Sequence, residues 1–362
     1  VYGFQAVHAH VIGVLTNTVP VDAYRGAGRP ESNYLVERLI DTAAREMGID
    51  RIEIRRRNMV PSSAMPYTSA MGQRYDSGEF ARIMDSALAK IDWAGFPARR
   101  ADAAKRGKKR GIGLAYYLEA TGGSATDRIA RSVAVGGSCL YGTSDEPGAK
   151  GRRRNCAPPP CSVTTDTTPC CCRRLTAAVR FADDGYVDDY VGTQSTGQGH
   201  ETAYAMMTSH ELGVPIEKIR IRQGDSDSLP DGGGTGGARS LYSEGQAILV
   251  TTASVVEKGK IAASEHLEAS VADIEFTPKD GRFAVAGTDR GVGIIELAAA
   301  QRQRAAAGLE ATLLDAQETA EIKAHTFPNG CHVAEVEVDP DTGVVAIPRY
   351  IVVDDVGHAL NT

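Results

Sequence analysis

The sequence predicts an α+β fold, and three observations point to it. Segments with helical and with strand periodicity are both present, but they do not alternate as regular βαβ units. Asp183–Gly185 reads as a turn between two strand-like runs, "AAVRF" and "YVDDYVG". Near the end, "VAEVEVD" and "VVAIPRYIVVDD" flank a Pro-Asp-Thr-Gly turn, which is a hairpin signal.

The elements follow in order. In "ESNYLVERLIDTAAREMG" (31–48), Tyr34, Leu35, Leu39, Ala43 and Met47 recur at helical spacing. Pro30 suits the start of that helix and Gly48 its C-terminal stop. Residues 79–91 repeat the pattern. Residues 111–120 and 177–181 read as strands. Residues 201–212 read as a helix closed by Gly213, and "KIRIRQG" (218–224) alternates like a strand.

Length and composition bound the function. A chain of 362 residues can bury a sizeable core. The formal charge of −6 argues against a general nucleic-acid binder, since it offers no global neutralisation of a phosphate backbone. There is no apolar run of about 18 residues, so no membrane span is expected. Six of the seven cysteines fall between Cys139 and Cys172 and only Cys331 lies elsewhere, as in a cytoplasmic protein without a disulfide framework. The chain opens without a signal-peptide pattern or an initiator methionine, and it stops without a tail. It is therefore expected to be incomplete at both ends.

One stretch departs from the rest. From 131 to 174 periodicity gives way to proline, cysteine, arginine and threonine. A metal-binding insertion is one reading, but Cys156 and Cys161 followed by adjacent Cys170, Cys171 and Cys172 make poor ligand spacing. A disordered or out-of-frame stretch accounts for the composition better.

Three glycine-rich segments point to a ligand: "DAYRGAGRPE" (22–31), "GTQSTGQGHETAYAMM" (192–207) and "DGGGTGGARS" (231–240). Glycine lets a ligand approach the backbone. Successive N–H groups and helix N-termini favour anions. Arg25 and Arg29 add planar donor forks. Neither the second nor the third segment has the Gly-Lys-Ser/Thr of a P-loop or the dinucleotide G-x-G-x-x-G context, so ATP and NAD are poorly supported. A large, polar, phosphorylated cofactor fits better.

In combination, "AYRGAGRPE", "TQSTGQGHET" and "GGGTGGARS", with "RRRNMVP" and "EVDPDTGVV…YIVVDD", resemble the molybdenum-binding large subunit of the xanthine dehydrogenase and aldehyde oxidase family, in its carbon monoxide dehydrogenase large-chain-like branch. The resemblance implies molybdopterin-binding domains. Residues 1–78 would be the end of a first such domain and 79–130 the start of a second. Residues 131–176 would be the irregular insertion, and 177–362 the truncated remainder of the second domain.

The resemblance also implies molybdopterin cytosine dinucleotide with molybdenum. Gln198, Gly199, His200 and Thr202 would line the pterin and its pyrophosphate, and Thr235, Gly236, Gly237, Ala238, Arg239 and Ser240 would form a second cradle. Arg25 and Gly26 would lie beside the metal, which the pterin holds without protein ligands. The 2Fe-2S clusters and FAD are expected on partner subunits, an iron–sulfur small subunit and an FAD medium subunit. The implied reaction is oxidation of an aldehyde or aromatic N-heterocycle with water as oxygen donor.

Two departures qualify this. Gly26 stands where carbon monoxide dehydrogenases carry a copper-binding cysteine, so a copper–molybdenum site is not expected. The family's catalytic glutamate is expected beyond Thr362. Glu201, Glu211 and Glu244 are not substitutes: Glu201 opens a helix and the other two read as surface residues. The alternative is a non-catalytic, truncated or frame-damaged product. His8, His10, His325, His332 and His358 show no ligand spacing and receive no role.

Overall fold

The computed structural model describes residues 1–10, 12–19, 24–122, 174–229, 232, 234–322 and 324–361. The irregular stretch lies outside the described residues except for its last three positions. Residues 174–176 there open a regular strand.

Helix α1 spans Arg29–Met47, between Gly28 and Gly48, both in the left-handed conformation that glycine adopts without a Cβ penalty. Its packing corrects the expectation from periodicity. Tyr34, Leu35, Leu39 and Met47 face outward, and the buried residues are Glu37, Ile40 and Ala44. The inner face is polar because α2 (Arg51–Asn58) delivers Arg55 to it. Arg55 is fully buried, and its guanidinium donates to Glu37 Oε2 at 2.9 and 3.0 Å and to Asp41 Oδ1 at 2.7 Å. Asp50 starts α2 by accepting from the Ile52 and Glu53 amides.

After a small hairpin of β1 (Tyr67–Thr68) and β2 (Arg74–Tyr75), α3 (Phe80–Ile91) buries Phe80, Ile83, Met84, Ala87 and Ile91 along one stripe. Helix α4 (Phe96–Lys105) leads into β3 (Lys109–Leu118). That strand pairs antiparallel with β11 (Asn329–Val338), which pairs with β12 (Val345–Asp355) across the expected hairpin. The first core therefore joins residues far apart in sequence: Met84 and Ile91 pack with Leu114, Tyr116, Cys331 and Val333.

A second sheet has the order β10-β4-β5-β6, from Ala316–Glu321, Arg174–Phe181, Val187–Val191 and Ile219–Arg222. Strands β4 and β5 form the hairpin around the Asp183–Gly185 turn, whereas β5 and β6 run parallel. The parallel step needs a crossover, and α5 (His200–Leu212) supplies it. Gly213 ends α5 at φ 64°.

The long helix α6 (Gly245–His266) packs on this sheet. A meander of β7 (Ile274–Thr277), β8 (Arg282–Val285) and β9 (Gly291–Gly293) and the helix α7 (Ile294–Ala306) complete the second core around Val255, Phe283 and Leu297. The architecture is α+β, and among the described residues the strand pairs are antiparallel except β5–β6.

Candidate functional site

The three glycine-rich segments meet. Gly192–Gly199 links β5 to the start of α5, and 234–239 leads into a π-helical turn, Ser240–Glu244, that runs straight into α6. The two loops are bound edge to edge. Gly234 N–H donates to Gly192 O at 3.1 Å, Gln194 N–H to Thr235 Oγ1 at 3.2 Å, and Thr235 Oγ1–H to Gln194 O at 2.6 Å. Gly232 lies so close to Gly192 that a Cβ there would sit 2.8 Å from the Gly192 carbonyl oxygen. Glycine is required at this contact because backbone meets backbone.

Arg25 attaches the first segment. Its Nη2 donates to Thr196 O at 2.6 Å, and lies 4.0 Å from where a Cβ on Gly197 would be. Gly26 and Gly28 have φ of 100° and 86°, so the chain turns sharply between Arg25 and α1. An ion pair of Arg29 with Glu119, at 3.0 Å, ties this turn to the end of β3. There Gly122, at φ 75°, leaves room for the Tyr242 ring from the π-turn. Four chain segments thus converge on one locus.

The sequence-predicted residues fall as follows. Gln198 Oε1 accepts from the Thr196 amide and, at 3.2 Å, from the Thr196 hydroxyl, holding the loop in its curve. Gly199 caps α5 at φ 76° with no side-chain cap, so the amides of the first turn open toward the loop. Thr202 is exposed on that turn. His200 is buried, stacks on Tyr204 at 5.0 Å between ring centroids, and its Nδ1 has no hydrogen-bond partner among the described residues.

Thr235 is the tie between the loops and also accepts from Ser240 Oγ at 3.4 Å. Gly236 and Gly237 have open space where a Cβ would stand, and Ala238 adopts φ 55°. Arg239 is half-buried, and its carbonyl accepts from the Ser243 amide. Ser240 also hydrogen-bonds Tyr204.

Four residues escaped the sequence reading. Gln223 accepts from the Ser195 amide at 2.9 Å and donates to Glu201 at 2.5 Å, bracing the loop against α5. Thr193 and Tyr204 share a buried hydroxyl bond of 2.9 Å. Asp189 is fully buried on β5, takes the Thr208 hydroxyl at 2.6 Å, and burial pushes its carboxyl up to about 7.

Glu244 corrects an expectation: it is not a surface residue but fully buried, with Oε1 accepting the Gly192 amide at 3.1 Å. Burial pushes it up to about 8; the Gly192 bond opposes that shift and the Asp189 charge adds to it. No sequence pattern marked Glu244, because "SLYSEGQAI" changes helical pitch at this residue. Glu211 is half-exposed and pairs with His210, and Glu201 is exposed. Among the described residues no three His, Cys, Asp or Glu side chains gather as a metal site would need.

Taken together, the site offers backbone amides at an uncapped helix start, an arginine fork and two glycine loops with open Cα faces. That is a surface for an elongated anionic ligand. Comparison with known proteins defines the class. A molybdopterin cofactor-binding domain family matches residues 86–362, and a second molybdopterin cofactor-binding domain family matches residues 1–59.

The carbon monoxide dehydrogenase large chain of Hydrogenophaga pseudoflava is 29% identical over 369 residues, covering 99% of this chain and 41% of that protein. The nicotine 6-hydroxylase large subunit of Paenarthrobacter nicotinovorans is 30% identical over 365 residues, covering 100% of this chain and 40% of that one. The crystal structure of quinoline 2-oxidoreductase from Pseudomonas putida 86 superposes with a TM-score of 0.71 at 29% identity, over 95% of this chain and 39% of that one. The chain belongs to the molybdenum-dependent oxidoreductases of the xanthine dehydrogenase and carbon monoxide dehydrogenase family. It spans about two fifths of the length of these relatives.

Proposed function

We propose that this chain is the cofactor-cradling section of a molybdenum hydroxylase large subunit, and that the cofactor is molybdopterin cytosine dinucleotide. The observation that supports this most is the joining of the loops: Arg25 reaches the 192–199 loop, and Thr235 binds that loop to the 234–240 loop. The residues present suit the group. The uncapped start of α5 offers amides to a pyrophosphate, and open Cα faces at Gly199, Gly236 and Gly237 let the ligand lie against backbone. The unpartnered Nδ1 of buried His200 supplies a fixed polar contact.

When bound, the molybdenum pterin supplies a two-electron redox centre at which oxygen derived from water reaches a carbon. The protein's part is to bind, orient and exclude water. Gln198 and Thr235 hold the loops in shape, Arg25 sets positive charge beside the turn at Gly26, and Tyr204 backs His200. Gly26 provides no thiol at that turn, so these residues do not suit a copper-bearing form of the site.

The substrate class we infer is an aldehyde or an aromatic N-heterocycle, in keeping with relatives named for nicotine and quinoline. In the intact, cytoplasmic complex, 2Fe-2S clusters and FAD on partner subunits would take up the electrons, and a glutamate would serve as the base. Turnover of an N-heterocycle by the intact complex in ¹⁸O-labelled water tests the reading. Label in the hydroxylated product is expected; unlabelled product, or activity in a complex free of molybdenum, would overturn it.

A further inference from the structure

The fully buried carboxyl of Glu244 has no part in the cofactor contacts above, yet it stands at the junction of the site. It ends the π-helical turn that begins at Ser240, so the backbone carrying Ser240 and the backbone carrying Glu244 are one rigid piece leading into α6. Its Oε1 accepts the amide of Gly192, the residue at which the other loop leaves β5. Gly192 also accepts the Gly234 amide through its own carbonyl. One peptide residue is therefore held from both ends of the second loop. Glu244 Oε2 has no hydrogen-bond partner among the described residues, so burying this side chain costs free energy that one amide bond does not offset. A stability role accounts poorly for such a residue, whereas a positional one accounts for its place.

We propose that Glu244 is the positioning residue of the cradle: it grips the Gly192 amide and so fixes the spacing between the two glycine-rich loops on which the cofactor lies. The inference rests on the proposed function for what the cradle holds, but not for the latch itself. Its neighbours agree. Asp189 of β5 and Tyr204 of α5 are the titratable groups that act with it, and β4 and β10 present Leu175, Ala177 and Ala320 to the adjoining core. No cation is among these groups, so the Gly192 amide is the partner that orients the carboxyl.

Three variants separate position from packing. Glu244→Gln keeps an acceptor at Oε1, Glu244→Leu keeps volume without an acceptor, and Glu244→Ala keeps neither. Amide exchange over 192–199 and pterin retained on gel filtration are measured for each, with urea unfolding alongside. Glu244→Leu is expected to speed exchange at the Gly192 amide about tenfold, the loss of one net hydrogen bond, while its unfolding midpoint stays near the parent's, because relief of the unpartnered Oε2 offsets the Gly192 amide left unpaired. Glu244→Gln is expected to match the parent in both readouts. Pterin retention is expected to fall with Glu244→Leu and not with Glu244→Gln. Unchanged Gly192 exchange in both Glu244→Leu and Glu244→Ala overturns the proposal. A parent protein that carries no pterin, with the exchange difference intact, counts against the cofactor reading and leaves the latch supported.

Discussion

Replacing Thr235 by valine removes one oxygen and keeps the side chain's shape. That oxygen makes two side-chain bonds between the glycine-rich loops: it donates to Gln194 O at 2.6 Å and accepts from Gln194 N at 3.2 Å. The Ser240 hydroxyl at 3.4 Å is a longer contact and is discounted. A net hydrogen bond is worth about 1 kcal/mol, and these lie near the surface, so the loss is about 1–2 kcal/mol of loop closure. That corresponds to roughly a 5–30-fold rise in the open population of the loop. Global stability is spared, because Thr235 is exposed and outside every core cluster. The assay is amide exchange over 192–199 with urea unfolding as control. Thr235→Val should exchange faster by that factor at an unchanged unfolding midpoint, and Thr235→Ser should behave as the parent. Unchanged exchange in Thr235→Val would overturn this, since the loops would then be held without Thr235, by contacts such as the Gly234–Gly192 backbone bond and the Glu244–Gly192 bond.

Further outcomes follow from the buried charges. Arg55→Ala strands the buried Glu37 carboxyl, which keeps the Tyr2 hydroxyl at 2.7 Å and the Tyr116 backbone amide but no cation, and should cost about 3–5 kcal/mol in urea unfolding. Arg55→Met combined with Glu37→Leu should recover most of that loss. Asp189, at about 7, and Glu244, at about 8, lie above ordinary carboxyls, so between about pH 4 and 8 the folded chain binds more protons than the unfolded one. Their contribution to stability is full at low pH and is lost as pH rises through about 8; unfolding at pH 6 and 9 should show the fall, and Asp189→Asn should flatten it.

Glycine and helix signals made much of the site legible. Gly48 and Gly213 stop their helices as read, and the three glycine-rich segments that marked a ligand surface are the three that meet. Periodicity could not say which face of α1 points inward. Tyr34, Leu35, Leu39 and Met47 share a face, but Arg55 arrives on the opposite one and buries Glu37 instead. That pairing links residues 18 positions apart and depends on how α1 meets α2, which no local pattern encodes. Glu244 was illegible for a different reason. Its burial depends on a π-helical turn that shifts the phase of α6, so helical spacing counted from Ser240 puts it on the wrong side. Asp189 sits in an alternating strand whose residues are nearly all buried, so alternation carried no outward signal there.

The proposed occupant of the joined loops, a molybdenum pterin with a cytosine nucleotide, can be measured on the purified protein. The direct measurement is to purify the protein from molybdenum-replete cells, release the cofactor by oxidation, and quantify pterin, cytidine monophosphate and molybdenum on one sample. All three are expected in equal amounts, and are expected to be lost together when Arg25 and Gln198 are replaced by alanine. Protein that releases neither pterin nor cytidine monophosphate, from cells in which another molybdenum hydroxylase is fully loaded, would contradict it.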